Sequence, residues 1–600
     1  MGTNVTENEQ QSRYGEETVH DEKLSNVIKN DTEENDFKSK NYITFEELLS
    51  WAGIDGRWKI LLFILCALSG FTNPMNTLSY QFLGATPEYW CHVTPLVNAN
   101  WTQEQIISLA IPESNASTIH NACFMYNYDY DMAAEMGYER SMSNLTAITK
   151  ETETTLVPCP VRDFNLTEHD STVVTQWDLV CERRPLYSTT AAINQVGMLV
   201  GNFVYGYLTD AIGRRPVVLW SSCLSIIVSL LTAASPTIET YIFMRGLIQA
   251  VDNGYYVACF VFAMEICSVR ERTHLGALFT IPFALGYMLI PGIAYFVRQW
   301  QWLQVALTFP SFYLLIYFWV LPESPRWLIL HGRYEEALKI FKSAAKFNRR
   351  SLPPDQEMLD SMKRIVFEES HLIEVQERKT TKTLSNRVCM TAKAYLVVLV
   401  NPDLRKRASI VFFLWLAAGL VYYGVGLNAT NISADPYMYM FLGGVAEVFA
   451  YLFLWGILAH SSRKKTLGFL YFISGVSISA VAAFMFAAPE VPVGVRVAFS
   501  LCGKLAITAG FHLVWIFTAE LFPTKYRPMI IGEASIAARI GSSCSPYVND
   551  ILGTASPWAP SAVFSLTSLI AAALVGLLPE TTDKRLPETN KYDEEEAQTA

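Results

Sequence analysis

The residues with the greatest capacity for chemistry in this chain are ionisable side chains inside long apolar stretches. They are Glu447, Arg539, Lys504, Asp252 and Arg245. An ionisable group at bilayer depth costs at least about 2.5 kcal/mol, so it is expected to face a watery cavity or an opposite charge. An arginine fork grips a carboxylate, and an acid neutralises an ammonium. Glu447 and Arg539 would therefore suit a solute that carries both charges. The alternative is structural: a Glu447–Arg539 ion pair, or separate pairs with Lys504 and Asp252.

Aromatic side chains would complete a site for an organic cation, because a ring face attracts a desolvated ammonium by about 2 kcal/mol or more in favourable cases. Trp415 and Tyr422 are seven residues apart in one stretch and so share a helix face, and Tyr255 and Tyr256 lie in the stretch that holds Asp252. Aromatic residues make up 13% of the chain, so each ring alone is more often packing than ligand.

The elements that must hold these residues are membrane-spanning helices. Charged residues make up 17% of the chain, against about 25% in soluble proteins. Apolar stretches near 20 residues long, enough to cross a bilayer as a helix, occur twelve times. We number them spans 1 to 12, at residues 58–83, 186–208, 216–235, 240–263, 274–296, 301–321, 408–427, 436–459, 466–488, 493–517, 529–552 and 558–578. The sequence therefore predicts an all-α membrane protein with twelve transmembrane helices.

Three charged segments recur in the same order about half a chain apart. Gly206–Pro216 recurs 250 residues later, Glu265–Arg272 recurs 255 residues later and Leu321–Ser324 recurs 257 residues later. A nearly constant offset indicates two copies of one unit. In a membrane protein, two like halves are typical of a transporter whose solute binds between them. We expect six-helix pseudo-symmetric halves at 58–321 and 408–578.

The basic residues place one side of the bundle in the cytoplasm. Lysines and arginines cluster in alternate short connections and in the linker 322–407, and the opposite connections are almost free of them. Cytoplasmic loops carry an excess of these residues, so both termini are expected to be cytoplasmic. The N-terminal tail, 1–57, has no cleavable signal and is predicted to be disordered, and the C-terminal tail is 579–600.

The linker contains an apolar stripe at helical spacing, formed by Leu338, Phe341 and Ala345. This pattern predicts an amphipathic helix against the cytoplasmic ends of the bundle. Recruitment of a partner protein is an alternative that the pattern does not require.

The charged cytoplasmic motifs predict a mechanical role. Ion pairs that form when the inner side is closed and break when it opens would bias a two-state equilibrium, as alternating access requires. The residues concerned are Asp210, Arg214, Arg215, Glu265, Arg270, Glu520 and Arg527. The basic members also set the topology, and we expect both roles.

The segment 85–185, between spans 1 and 2, is predicted to be a large extracellular loop. It holds four cysteines and four Asn-x-Ser/Thr sequons, and these residues are Cys91, Cys123, Cys159, Cys181, Asn100, Asn115, Asn144 and Asn165. Disulfides and glycosylation both belong to the luminal or extracellular face. We expect two disulfides in one of three pairings; four unpaired thiols are the alternative.

Several segments resemble known motifs. Gly-x-Leu-x-Asp-x-x-Gly-Arg-Arg at 206–215 and Pro-Glu-Ser-Pro-Arg-Trp at 322–327 resemble signatures of the major facilitator superfamily, and the similarity covers about residues 50–585. The large cysteine-containing loop, Gln176-Trp-Asp-Leu-Val-Cys181 and Thr518-Ala-Glu-Leu-Phe-Pro523 resemble the organic cation, carnitine and organic anion transporter family. This resemblance implies the twelve-helix fold and a carrier of small organic ions.

The same resemblance sharpens the site. The segment around Glu447 is similar to the cation and carnitine branches of the family, and the segment around Arg539 is similar to the carnitine and anion branches. Having both implies the carnitine-like branch, which accepts zwitterions. Similar positions to Trp415, Tyr422 and Tyr256 line the cavity in the family.

We therefore expect a multi-pass plasma-membrane carrier of small organic cations or zwitterions that are carnitine-, betaine- or amino-acid-like. Glu447 would hold the ammonium, and Arg539 would take a carboxylate. The other members of the predicted site are Trp415, Tyr422, Tyr256, Tyr255, Asp252 and Lys504.

Two other functions are open. An organic anion exchanger would use Arg539 and Lys504, with Glu447 structural. A surface receptor would use the loop 85–185 and transport nothing. No Walker motif is present in the sequence, so we expect no ATP hydrolysis, no enzyme activity, no cofactor or metal and no nucleic-acid partner. Coupling to sodium or protons, exchange and facilitated diffusion are all compatible with the sequence.

Overall fold

The computed structural model describes residues 45–51, 56–112, 123–149, 155–378, 400–432, 435–457, 461–523 and 526–581. The chain divides into two compact units. One unit holds the chain up to Arg57 together with residues 328–378, and the other holds residues 58–327 and the chain from 379 onward. The second unit contains all twelve predicted spans.

The unit outside the bundle is helical. Its helices are Phe45–Trp51, Tyr334–Asn348 and Asp355–Arg378, and Pro325–Leu330 lies at its border with the second unit. The amphipathic helix predicted in the linker is confirmed, because Leu338, Phe341 and Ala345 are all buried. The prediction of a disordered tail is wrong for Phe45–Trp51, where Leu48 and Leu49 are buried apolar side chains. Residues 1–44 lie outside the described part.

Spans 1 to 6 form the first half of the bundle. Their bounds are Arg57–Leu83, Arg184–Ile212, Arg214–Ala233, Ile238–Ile266, Ile281–Phe296 and Trp300–Val320. Span 1 is broken into Arg57–Leu68, a 3₁₀ turn at Ser69–Phe71, Asn73–Thr77 and Tyr80–Leu83. A helix at Val269–Leu278 leads into span 5, and span 6 contains a 3₁₀ segment at Phe309–Ile316.

Spans 7 to 12 form the second half. Their bounds are Pro402–Leu427, Pro436–Ile457, Arg463–Ala487, Val493–Leu521, Arg527–Tyr547 and Ala559–Val575. Local sequence sets several helix starts. The side chain of Asn401 accepts hydrogen bonds from the backbone N–H groups of Asp403 and Leu404, and that of Ser462 accepts one from Lys465. Short helices follow span 7 at Ala429–Ile432 and span 11 at Val548–Leu552, a π-turn, and Gly553–Ala555.

Two of the twelve spans are unusually polar. Among the described residues, eight helices are both long and apolar enough to cross a membrane, and spans 5 and 12 are shorter apolar helices. Spans 2 and 11 have the length but not the apolarity, and they face each other across the two halves. The hydroxyls of Thr189 and Tyr547 lie 2.9 Å apart, and Arg539 Nη1 donates to Gln195 Oε1 at 3.2 Å. Their polar side chains are therefore placed at the seam between the halves.

The extracellular loop is held by two disulfides, as predicted, with the pairing Cys91–Cys159 and Cys123–Cys181. Two small antiparallel sheets accompany them, β1 (Tyr89–Cys91) with β4 (Arg162–Phe164) and β2 (Phe124–Tyr126) with β3 (Leu156–Pro158). The loop helices are Thr94–Asn98, Gln103–Ala110, Tyr130–Met136, Tyr138–Ser143, Leu145–Ile148, Val173–Trp177 and a 3₁₀ turn at Cys181–Arg183.

Three of the four predicted glycosylation asparagines can be placed. Asn100 and Asn144 are exposed, and Asn165 is half-buried. Asn115 lies outside the described residues. Glycan attachment at these sites stays a prediction.

Close packing of spans 2 and 4 depends on glycine. A Cβ on Gly197 would lie 2.0 Å from the carbonyl oxygen of Gly246, and one on Gly201 would lie 2.4 Å from that of Ala250. Gly206, further along span 2, has nothing within 4 Å of such a Cβ.

We predict that Gly197→Val destabilises the bundle and that Gly206→Val does not. Overpacking typically costs about 1–3 kcal/mol, and a backbone carbonyl cannot move aside as a side chain can. Thermal unfolding of detergent-purified protein, followed by size-exclusion chromatography, measures the difference. Equal melting temperatures for the two variants would contradict this account of the helix contact.

Candidate solute-binding site

Glu447 lies in span 8 and is fully buried. Its Oε1 accepts a hydrogen bond from the Tyr422 hydroxyl at 2.8 Å and lies 3.4 Å from Lys504 Nζ. Its Oε2 is buried and has no hydrogen-bond partner among the described residues. The carboxylate therefore has one oxygen that is satisfied from within the protein and one that is not.

Lys504, in span 10, supplies the internal cation. Its Nζ donates to the Tyr287 hydroxyl at 2.8 Å and lies 4.1 Å from the centre of the Tyr287 ring. Tyr287 belongs to span 5, so this ammonium connects the two halves. A Cβ on Gly443 would come within 3.0 Å of Nζ, so glycine leaves room for it. The sequence did not single out Tyr287, because nothing local marks it as a partner of span 10.

Arg539 is half-buried at the seam. Its Nη1 donates to Gln195 Oε1, and its Nε has no partner among the described residues. No ion pair joins it to a carboxylate in the part of the chain that the structure describes. Of the structural pairs that the sequence left open, the structure therefore contains Glu447–Lys504 and not Glu447–Arg539.

The aromatic residues of span 7 form one wall with those of span 10. Trp415 Nε1 donates to Thr518 Oγ1 at 3.0 Å, and its ring packs at 4.4 Å from the Trp515 ring and 6.4 Å from the Phe511 ring. Tyr422 packs against the same Phe511 at 5.8 Å. The predicted shared face of Trp415 and Tyr422 is thus present.

Tyr256 approaches this wall from the first half. It lies within Coulombic range of Tyr423 in span 7 and of Tyr451 in span 8, and Tyr451 is in turn within Coulombic range of Glu447. Tyr256, Tyr422 and Tyr451 therefore belong to one buried set that crosses the seam near Glu447.

Tyr255 and Asp252 belong elsewhere, inside the first half. The Tyr255 hydroxyl bonds to Thr72 at 3.1 Å. Asp252 accepts hydrogen bonds from Asn76 at 2.7 Å and from Ser225, and both residues are fully buried. They form a polar cluster of spans 1, 3 and 4 and are not brought to Glu447.

The charged motif of the first half forms a network at the cytoplasmic end of its helices. Arg214 Nη2 lies 3.1 Å from Asp210 Oδ1 and 2.7 Å from Glu265 Oε1. The carboxylate of Glu323 accepts from the backbone N–H groups of Arg214 at 2.9 Å and Arg215 at 3.2 Å, which caps span 3. The network thus connects spans 2, 3 and 4 with the residues that follow span 6.

The second half repeats this arrangement. Arg463 Nε lies 3.5 Å from Glu520 Oε1, and Glu580 accepts from the Lys464 backbone N–H at 3.3 Å. Glu323 and Glu580 therefore cap equivalent helices. Sequence reasoning quoted both as part of the repeat but gave them no role, although that repeat was the signal that could have found them.

The remaining predicted gating residues have simpler surroundings. Arg215 Nη2 donates to the Phe318 carbonyl at 3.0 Å, and Arg527 Nη2 donates to the Phe522 carbonyl at 3.5 Å. The side chain of Arg270 lies outside the described part. A role of the whole set in gating stays a prediction.

The outer ends of the two halves are joined by hydrogen bonds. Asp550 Oδ2, at the end of span 11, accepts from the Tyr80 hydroxyl at 3.0 Å and from the Ser188 hydroxyl at 2.6 Å. Gln81 Nε2 donates to the Gly426 carbonyl at 2.8 Å. These bonds lie on the side of the disulfide-bonded loop, so this conformation is closed at that side. Asp550 was not singled out from the sequence.

Comparison with known proteins agrees with this architecture. Residues 118–592 match the family described as sugar (and other) transporter. The chain is 30% identical over 549 residues to the organic cation transporter protein of Drosophila melanogaster, with 91% of this chain and 93% of the relative covered. It is also 30% identical over 554 residues to organic cation/carnitine transporter 2 of Homo sapiens, with 91% and 93% covered.

The fold is also found among solved structures. A partially occluded, inward-open conformation of the xylose transporter XylE from E. coli matches with a TM-score of 0.56 at 13% identity, with 88% of this chain and 100% of that one covered. This likeness confirms the predicted twelve-helix fold. The chain therefore belongs to the organic cation, carnitine and organic anion transporter family of the major facilitator superfamily, and it is a multi-pass membrane transporter.

Proposed function

We propose that this protein carries small organic cations or zwitterions, such as carnitine-, betaine- or amino-acid-like solutes, across the plasma membrane by alternating access. The names of its relatives refer to organic cations and carnitine. Disulfides in the loop and basic residues at the opposite ends of the spans support cytoplasmic termini.

The observation that carries the proposal is the unpartnered Oε2 of Glu447. A buried carboxylate oxygen without a hydrogen-bond donor is destabilised by its own desolvation. An ammonium group of a solute would satisfy it, with the Lys504 ammonium already marking the other oxygen as a cation site at 3.4 Å. Tyr422 and Tyr451 would face such a cation, which aromatic rings attract.

Arg539 supplies the opposite charge. Its guanidinium holds one amide oxygen and has a buried Nε without a described partner, so it has donors available for a solute carboxylate. The three charges Glu447, Lys504 and Arg539 sum to about one positive charge. This balance disfavours a simple cation relative to a zwitterion, because the zwitterion adds no further net charge.

The same charge balance supports a second candidate, an organic anion exchanger. In that case Lys504 and Arg539 would bind the solute, and Glu447 would only orient Lys504. Such a carrier would take up dicarboxylates or aromatic acids, and quaternary amines would not compete.

Uptake in transfected cells distinguishes these functions. We expect uptake of carnitine, and uptake of β-alanine or a quaternary amine to be weaker or absent, with an aromatic acid excluded. Parallel measurements without sodium and at altered external pH identify the coupling ion. Uptake of the aromatic acid alone would favour the anion exchanger, and no uptake of any solute by protein at the cell surface would contradict both.

We predict that Glu447→Gln lowers uptake of an ammonium-bearing solute at least about tenfold, since a hydrogen bond to a charged group contributes roughly 1.5–3 kcal/mol. Radiolabelled uptake, normalised to surface biotinylation, measures this loss. Unchanged uptake at normal surface expression would remove Glu447 from the site.

The buried pair gives a matched stability test. Lys504→Met leaves Glu447 without its cation, which for a buried pair costs about 3–5 kcal/mol, so the melting temperature should fall. Adding Glu447→Gln to Lys504→Met should restore most of it. Lys465→Met, at an exposed position of span 9, is the control and should have little effect. Additive losses in the double variant would show that the two side chains do not interact.

We predict that Arg539→Ala discriminates between solutes. It should reduce uptake of a trimethylammonium carboxylate roughly tenfold or more beyond its effect on tetraethylammonium, because only the first solute uses the guanidinium. Arg539→Lys keeps the charge but not the fork and should be intermediate. Uptake of both solutes, with surface expression measured in parallel, tests this. Equal losses would mean that Arg539 does not bind the carboxylate.

A further inference from the structure

A basic pocket lies at the cytoplasmic ends of spans 7, 9 and 12, apart from the solute site. It has a volume of about 340 Å³. Its lining consists of Asp403, Lys406, Arg407 and Lys464 together with the backbone and side chains of residues 576–579. Ligand sites in proteins span roughly 300–1,000 Å³, so this volume suits a small headgroup. Three cations against one carboxylate give the lining a net charge of about +2.

The cations of this pocket converge from different helices. Lys406 and Arg407 lie in the first turns of span 7, and Lys464 lies at the start of span 9. Lys464 Nζ donates to the Gly576 carbonyl at 2.8 Å, which fixes its ammonium on the wall formed by the end of span 12. No ion pair within 4.0 Å joins Lys406, Arg407 or Lys464 to a carboxylate of the described chain. Basic residues that only set topology need not converge in this way.

The nearest acidic group outside the lining is already engaged. Glu580 accepts from the backbone N–H groups of Lys464 and Thr581 and from the Ser462 hydroxyl. It therefore acts as a helix cap and is not directed to the basic side chains. The pocket keeps its positive charge.

The surroundings favour a lipid over a solute from the cytoplasm. Leu577, in the lining, is 58% exposed, and Phe469, five residues along span 9 from Lys464, is 59% exposed. Five residues of helix rise about 7.5 Å. Exposed apolar side chains on membrane helices face acyl chains, so the pocket opens where the lipid-facing surface ends.

We propose that this pocket binds the phosphorylated headgroup of an anionic phospholipid of the inner leaflet, with a polyphosphorylated inositol lipid as the best fit. Arg407 provides a fork for phosphate oxygens, and Lys406 and Lys464 provide point charges. Leu577 and Phe469 lie beside the glycerol and acyl ends. Basic pockets between helices at the cytoplasmic face suit such headgroups.

The test is a thermal-stability titration of the full-length protein in detergent. Dioctanoyl phosphatidylinositol 4,5-bisphosphate should raise the melting temperature saturably, and dioctanoyl phosphatidylcholine should not. Free inositol trisphosphate should bind more weakly, because it lacks the apolar contacts. An equal response to the free headgroup, or to phosphatidylcholine, would overturn the lipid assignment.

Variants tie the effect to the pocket. Lys406→Gln, Arg407→Gln and Lys464→Gln combined should weaken binding roughly 100-fold. Lys339→Gln, Lys346→Gln and Lys465→Gln combined remove the same charge at exposed positions outside the pocket and should leave binding unchanged. Equal binding by both triple variants would contradict the proposal.

Two further proteins keep the test decisive. Arg407→Lys keeps every charge, and hence the topology, but should still bind several-fold more weakly because the fork is lost. The residues after Thr581 contain the acidic run Asp593–Glu596. Lipid binding seen only after truncation at Thr581 would assign the pocket to this acidic segment and overturn the proposal.

Discussion

Burial of charge at membrane depth is the constraint on which the solute site depends. A carboxylate such as Glu447 cannot reach water, so the protein must supply a cation and hydrogen-bond donors. Lys504 and Tyr422 do so for one oxygen only. Because Lys504 also bonds to Tyr287 in the other half, the state of this pair is sensitive to how the halves are arranged. A solute that changes the pairing of Glu447 would thereby change the contact between the halves, which is the coupling that alternating access requires.

The duplication explains the supporting structure but not the site. Both halves use a glutamate after their last span to cap their third helix, Glu323 in one and Glu580 in the other. Inside the bundle the halves differ. The first half encloses Asp252 in a network with Asn76 and Ser225, and the second half presents its carboxylate, Glu447, toward the seam. The symmetric parts therefore serve the movement, and the asymmetric interior serves recognition.

The sequence was sufficient for the spans because hydropathy and helix length are local properties. It identified Glu447, Lys504 and Arg539 as unusual for the same reason. It could not choose their partners, since the Lys504 ammonium depends on Tyr287, which is 217 positions away. It also grouped Tyr255 with Tyr256, although neighbours on a helix point about 100° apart, and only Tyr256 reaches the second half. The disulfide pairing and the Asp550 contacts likewise depend on tertiary structure.

Charge balance gives a reason why this arrangement suits a zwitterion during movement of the halves. Each conformational step transfers the solute and its binding groups through an environment of low dielectric constant, where an uncompensated charge is strongly destabilised. A zwitterion leaves the net charge of Glu447, Lys504 and Arg539 unchanged. Its ammonium can satisfy Glu447 Oε2 while its carboxylate compensates Arg539, which lacks a described acidic partner. A simple cation would satisfy the first group and leave the second exposed, so the barrier to movement should be lower with both ends of a zwitterion bound.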